Sequence, residues 1–120
     1  MAVSALLIAR DLLADPQAPA LTARLALAGV QVVPVDLPAT AKVLRLALTA
    51  AGATEGWLLA RDPEMVSVAA TAALIGVVLI GVPAPIDDHG IVVGSARDLA
   101  DAPRVMVPRG GGCWHDHRQA

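Results

Sequence analysis

Short unbroken apolar runs alternate along this chain with stretches of more widely spaced apolar residues, and polar or Gly/Pro breaks separate them. The clearest instance is GWLLARDPEMVSVAATAALIGVVLIGV, Gly56 to Val82. Trp57-Leu58-Leu59-Ala60 is a strand-length run broken by Arg61-Asp62-Pro63. Pro63 has a fixed φ suited to a first helical turn, with Asp62 before it as the N-cap. The apolar residues from Met65 to Ala73 then predict a helix that Gly76 stops, and Val77-Val78-Leu79-Ile80 predicts a buried parallel strand. A strand-helix-strand unit puts Arg61-Asp62-Pro63 at the carboxyl end of a strand, where open α/β sheets bind ligands.

The same alternation runs through the rest of the chain. Ala5 to Ile8 predicts a first buried strand, which Ala9-Arg10-Asp11-Leu12 leaves. Asp15-Pro16-Gln17-Ala18-Pro19 signals a helix start, and Ala20 to Ala28 a helix ended by Gly29. Val30 to Val35 predicts a second strand, at a sheet edge because Pro34 has no ladder donor. Asp36-Leu37-Pro38 predicts a turn, and Ala39 to Ala51 a second helix stopped by Gly52. Beyond the central unit come a strand at Ile91-Val92-Val93, a short capped helix from Ser95 to Asp101, and a last strand from Arg104 to Val107.

Strand and helix in strict alternation imply a doubly wound, mostly parallel sheet of five to six strands with helices on both faces. The first strand is expected near the centre, with the Pro34 strand on one side and the Trp57 and Val77 strands on the other. Residues 1–108 form this domain, and 109–120 a Gly-rich C-terminal tail.

Composition sharpens the picture by exclusion. Apolar residues make up 56 % of the chain and charged ones 17 %, far from a disordered composition. With no Phe, no Tyr, a net charge of −2 and no basic cluster, the chain offers a nucleic acid neither stacking platforms nor phosphate contacts. The apolar run at the N-terminus ends at Arg10, too short for a signal peptide. Val66 to Val82, at about 17 residues, sits at the lower edge of membrane-span length, and its internal Gly76 and Gly81 fit strand and turn better. A single Cys makes no internal disulfide, so the expected compartment is the cytoplasm.

In this order the pieces resemble the core, without a cap, of the haloacid dehalogenase (HAD) superfamily of phosphatases, a Rossmann-like fold, over Ala5 to Val107. That resemblance implies four motifs at strand ends. An Asp nucleophile followed two positions on by an acid/base Asp aligns with Ala9 and Asp11, so only the second carboxylate is present. The hydroxyl motif after the next strand falls on Asp36, and the helix-opening Lys on Pro38, with Lys42 one turn further on the same helix face. The magnesium-holding run aligns with Leu59 to Met65, where Arg61 and Met65 replace the two acids and Asp62 lies between. A covalent aspartyl-phosphate needs a carboxylate that Ala9 lacks, and Arg61 sets a cation where magnesium prefers oxygen ligands. The resemblance therefore implies a scaffold without its chemistry, in which Arg61 pairs with Asp11 across the vacated metal position.

Arg10, Asp11, Asp36, Arg61 and Asp62 are the polar residues that topology gathers at the carboxyl edge of the sheet. They define the candidate site: Asp11, Asp36 and Lys42 in catalytic roles, Arg10, Arg61 and Asp62 as ligand contacts. The favoured function is a catalytically inactive HAD-like binding or regulatory module with no cofactor. The alternative is a phosphohydrolase with a displaced magnesium site at Asp11 and Asp62. A further alternative is a metal or thiol function of the tail. Cys113, His115 and His117 bring soft and imidazole ligands together for zinc or copper, and Cys113 offers a redox or nucleophilic thiol, against the blander reading of a solvated tail with Trp114 packed on the domain. The excess of Ala, Val and Leu is consistent with an apolar contact to a second copy or a protein partner.

Overall fold

The computed structural model describes residues 3–85 and 90–106. Five strands form one parallel sheet: β1 (Ser4–Ala9), β2 (Val30–Val35), β3 (Glu55–Ala60), β4 (Gly76–Ile80) and β5 (Val92–Ala96), in the order β2-β1-β3-β4-β5. The helices are α1 (Ala18–Leu27), α2 (Ala41–Ala50), α3 (Met65–Thr71) and α4 (Ala102–Val105), with a 3₁₀ turn at Arg10–Ala14. The doubly wound expectation holds, with β2 at an edge and β1 between β2 and β3.

Alternation along the strands divides the core into two layers. Leu6 and Ile8 of β1, Trp57 and Leu59 of β3, and Val78 and Ile80 of β4 pack against Leu21 and Leu25 of α1 and Ala102 of α4. Ala5 and Leu7, Leu58 and Ala60, and Val77 and Leu79 face Leu44 and Leu48 of α2 and Met65, Val66 and Ala69 of α3. Because both faces are covered, these strands read as continuous apolar runs rather than alternating ones. The buried hydroxyl of Ser4 donates to Glu55 Oε1 (3.1 Å), and Arg45 of α2 donates to the Ala72 carbonyl at the end of α3 (3.3 Å), a favourable place for a cation.

Helix ends differ in their chemistry. Gly29 (φ +81°) and Gly52 (φ +69°) terminate α1 and α2 in the left-handed region, as their positions predict. α3 is stopped by Ala73 (φ +62°) instead of Gly76. The Leu74 N–H returns to the Ala69 carbonyl and the Ala73 N–H to the Ala70 carbonyl (both 3.0 Å), the double bond of a Schellman ending. Gly76 serves packing. It is the register partner of Trp57, and a Cβ there would overlap the Trp57 ring. The indole lies over the place where β4 has no side chain.

Three further expectations are corrected. The helix starts at Met65, not at Pro63: Pro63 and Glu64 form a turn in which Asp62 Oδ1 accepts the Glu64 N–H (2.9 Å), so Asp62 caps that turn. The expected helix from Ser95 to Asp101 is absent. Ser95 and Ala96 continue β5 beside Leu79 and Ile80, and the Ser95 hydroxyl donates to the Val82 carbonyl (2.6 Å) rather than capping a helix. The strand expected from Arg104 is instead α4, because Pro103 in the first turn fixes a helical φ and the preceding turn closes with the Asp101 N–H on the Asp98 carbonyl. Val107 lies outside the described residues.

Two substitutions test these close contacts. Gly76→Ala should lower stability to urea by about 1–3 kcal/mol through overpacking against Trp57. Ala73→Gly should raise it by up to about 1 kcal/mol, since glycine accepts the left-handed conformation that alanine resists.

Candidate ligand crevice at the carboxyl end of the sheet

The chain leaves β1 toward β2 on one side and later returns to β3 on the other, so the connections after β1 and β3 diverge. Divergence of this kind opens a crevice above the carboxyl ends of the two strands. A hollow of about 170 Å³ is found there, lined by Ala9, Asp11, Leu37, Pro38, Arg61 and Asp62. Ala9 ends β1, Asp11 lies in the 3₁₀ turn after it, and Arg61 and Asp62 follow β3 directly. Leu37 and Pro38 come from the segment after β2, where the Leu37–Pro38 peptide is cis.

Two ion pairs organise the charge. Arg10 Nε donates to Asp36 Oδ1 at 2.7 Å. Arg61 Nε lies 3.5 Å from Asp11 Oδ2, with side chains 53 % and 69 % exposed. At that exposure the pair is screened by water and contributes little to folding. Its significance is positional, because a guanidinium stands beside one of the two carboxylates that line the crevice.

Of the residues expected here, Asp11, Arg61 and Asp62 meet in the hollow, while Arg10 and Asp36 pair with each other. Lys42 is on the exposed first turn of α2 and is not part of the lining. Cys113, His115 and His117 lie outside the described residues. Among the described residues, no group of three or more His, Cys, Asp or Glu side chains gathers to hold a metal. Magnesium is typically bound by one or two carboxylates plus waters. Asp11 and Asp62 offer that number, while Arg61, 3.5 Å from Asp11, opposes the charge of the ion.

Sequence reading missed Leu37. Its side chain packs against both core layers and forms the apolar wall of the crevice. The only signal was a lone leucine between Asp36 and Pro38 in an otherwise polar turn. A larger hollow of about 340 Å³ was also missed. It lies between α1 and the turn before α4, lined by Pro16, Gln17, Leu21, Arg24 and Leu99 among others. The Gln17 side-chain carbonyl accepts the Ala100 N–H there (3.1 Å). That hollow has more volume, yet Arg24 is the one charged residue in its lining, so the crevice with its opposed charges is the better candidate for chemistry.

The fold and crevice define a class: a small doubly wound α/β domain with its candidate ligand site at the switch point of the sheet. Comparison with family models, with curated proteins and with solved structures finds no significant match to this chain. Among the described residues, no helix is long and apolar enough to cross a membrane.

If the Arg61–Asp11 pair serves the crevice and not the fold, Asp11→Asn and Arg61→Ala should each change unfolding free energy by less than about 1 kcal/mol. A loss above about 2 kcal/mol in chemical denaturation would make the pair structural.

Proposed function

We propose that this chain is a catalytically inactive HAD-like domain that acts as a binding or regulatory module in the cytoplasm. One observation carries the reading: Arg61 stands 3.5 Å from Asp11 in the crevice, where a working site would hold a metal. Three further positions support it. Ala9 lines the crevice at the place of the nucleophile, Pro38 at the place of the lysine, and Asp36 is paired with Arg10 at the place of the hydroxyl. Without a carboxylate at residue 9, no aspartyl-phosphate can form. An acidic Asp36 repels a phosphoryl group instead of donating a hydrogen bond to it. What remains is a shallow pocket with one apolar wall and both signs of charge, suited to recognition.

A second reading has a specific observation in its favour. Asp11 and Asp62 line the same hollow, which is the minimum carboxylate set for a displaced magnesium site and metal-assisted hydrolysis. Calorimetric titration with magnesium, with a generic phosphomonoester assayed on the same sample, separates the two. The inactive module predicts no magnesium heat and no turnover above blank. Magnesium binding that Asp11→Asn abolishes, accompanied by turnover, would replace it with the hydrolase.

A further inference from the structure

The two edges of the sheet are protected differently. β2 carries Pro34, which removes a backbone donor. β5, with sequence VVGSA, has no proline and no charged residue, the devices by which natural edges usually resist pairing. Its backbone directions follow from the bonds to β4. The Val92 N–H donates to the Ile75 carbonyl (3.2 Å), and the Ala96 carbonyl accepts from the Gly81 N–H (2.8 Å). Val92, Gly94 and Ala96 therefore turn their backbone groups toward β4, while Val93 and Ser95 turn theirs outward. Neither of these has a backbone partner among the described residues.

We propose that β5 is the interface of a homodimer, pairing antiparallel with β5 of a second copy about a two-fold axis at Gly94. The geometry is self-complementary. With Gly94 opposite its own copy, Val93 faces Ser95 of the partner and Ser95 faces Val93, each as a closely bonded pair that exchanges both hydrogen bonds. Every outward N–H and C=O of β5 in both copies is then used. Gly94 falls in the non-hydrogen-bonded position, where the backbones come closest, about 4.5 Å between Cα atoms, and it brings no side chain. A parallel arrangement would need a register offset of an odd number of residues, which a two-fold axis does not allow. The uncharged strands meet without repulsion, and the interface is isologous, as closed dimers require. The contact is short, well below the roughly 800 Å² per partner of a standard interface, so the dimer should be weak and depend on concentration.

Sedimentation or light scattering across a concentration series tests this on the full 12.2 kDa chain. The mass should rise toward twice that value, and the Val93 and Ser95 amides should gain protection from hydrogen exchange in step with it. Val93→Pro deletes one outward donor and leaves the β4 ladder intact, as Pro34 does in β2. Ser95→Lys places a charge on the edge. Both should remain at the mass of one chain, with circular dichroism confirming the fold; if Val93→Pro does not fold, Ser95→Lys and the exchange data decide. A single-chain mass at every concentration overturns the proposal, and amides protected at that mass would assign the edge to another part of the same chain. A dimer that survives in the folded variants also overturns it, and its loss in Leu27→Arg would place the contact on α1, where Leu27 is 91 % exposed.

Discussion

The sheet is covered by helices on both faces, and the placing of charge at its carboxyl edge follows from that. β1 is buried at every residue from Ser4 to Ala9, and β4 from Gly76 to Ile80. A charged side chain along these strands would be desolvated with nothing to compensate it. The buried strands β1 and β4 therefore carry no charge, and Arg10, Asp11, Arg61 and Asp62 begin at the residue after the last buried one of β1 or β3. The same crowding explains Gly76, which leaves room for the Trp57 ring.

The character of the crevice follows from the order of the strands. With β1 and β3 adjacent and their connections diverging, the loops after them form two walls, and Leu37 and Pro38 after β2 form a third. Two arginines and three aspartates share this rim, and four of the five are held in pairs. Asp62 spends one carboxylate oxygen on the Glu64 N–H. An arrangement in which most charges are already neutralised is poorly suited to capturing a metal. It remains open to a ligand that competes for the same partners.

Most of the fold was legible because two-sided burial writes long apolar runs, and Gly29 and Gly52 mark helix ends where a left-handed φ is needed. Legibility failed where tertiary context overrode local signals. Gly76 looked like a helix stop and is a packing position, while Ala73 took the left-handed conformation that residue type disfavours. Ser95 looked like a cap, but register with Leu79 kept it in β5. At the site, the gathering of charges at strand ends could be read from topology. Which arginine pairs with which aspartate, and the part played by Leu37, depend on loop paths that periodicity does not encode.

The central claim is that Arg61 occupies by its charge the position of a cation beside Asp11. Magnesium titration followed by amide chemical shifts, on the native chain and on Arg61→Asp, tests it most directly. The account predicts no response in the native chain and saturable shifts at residues 9–11 and 60–62 in Arg61→Asp. Saturable shifts in the native chain, or none in a folded Arg61→Asp, would contradict it.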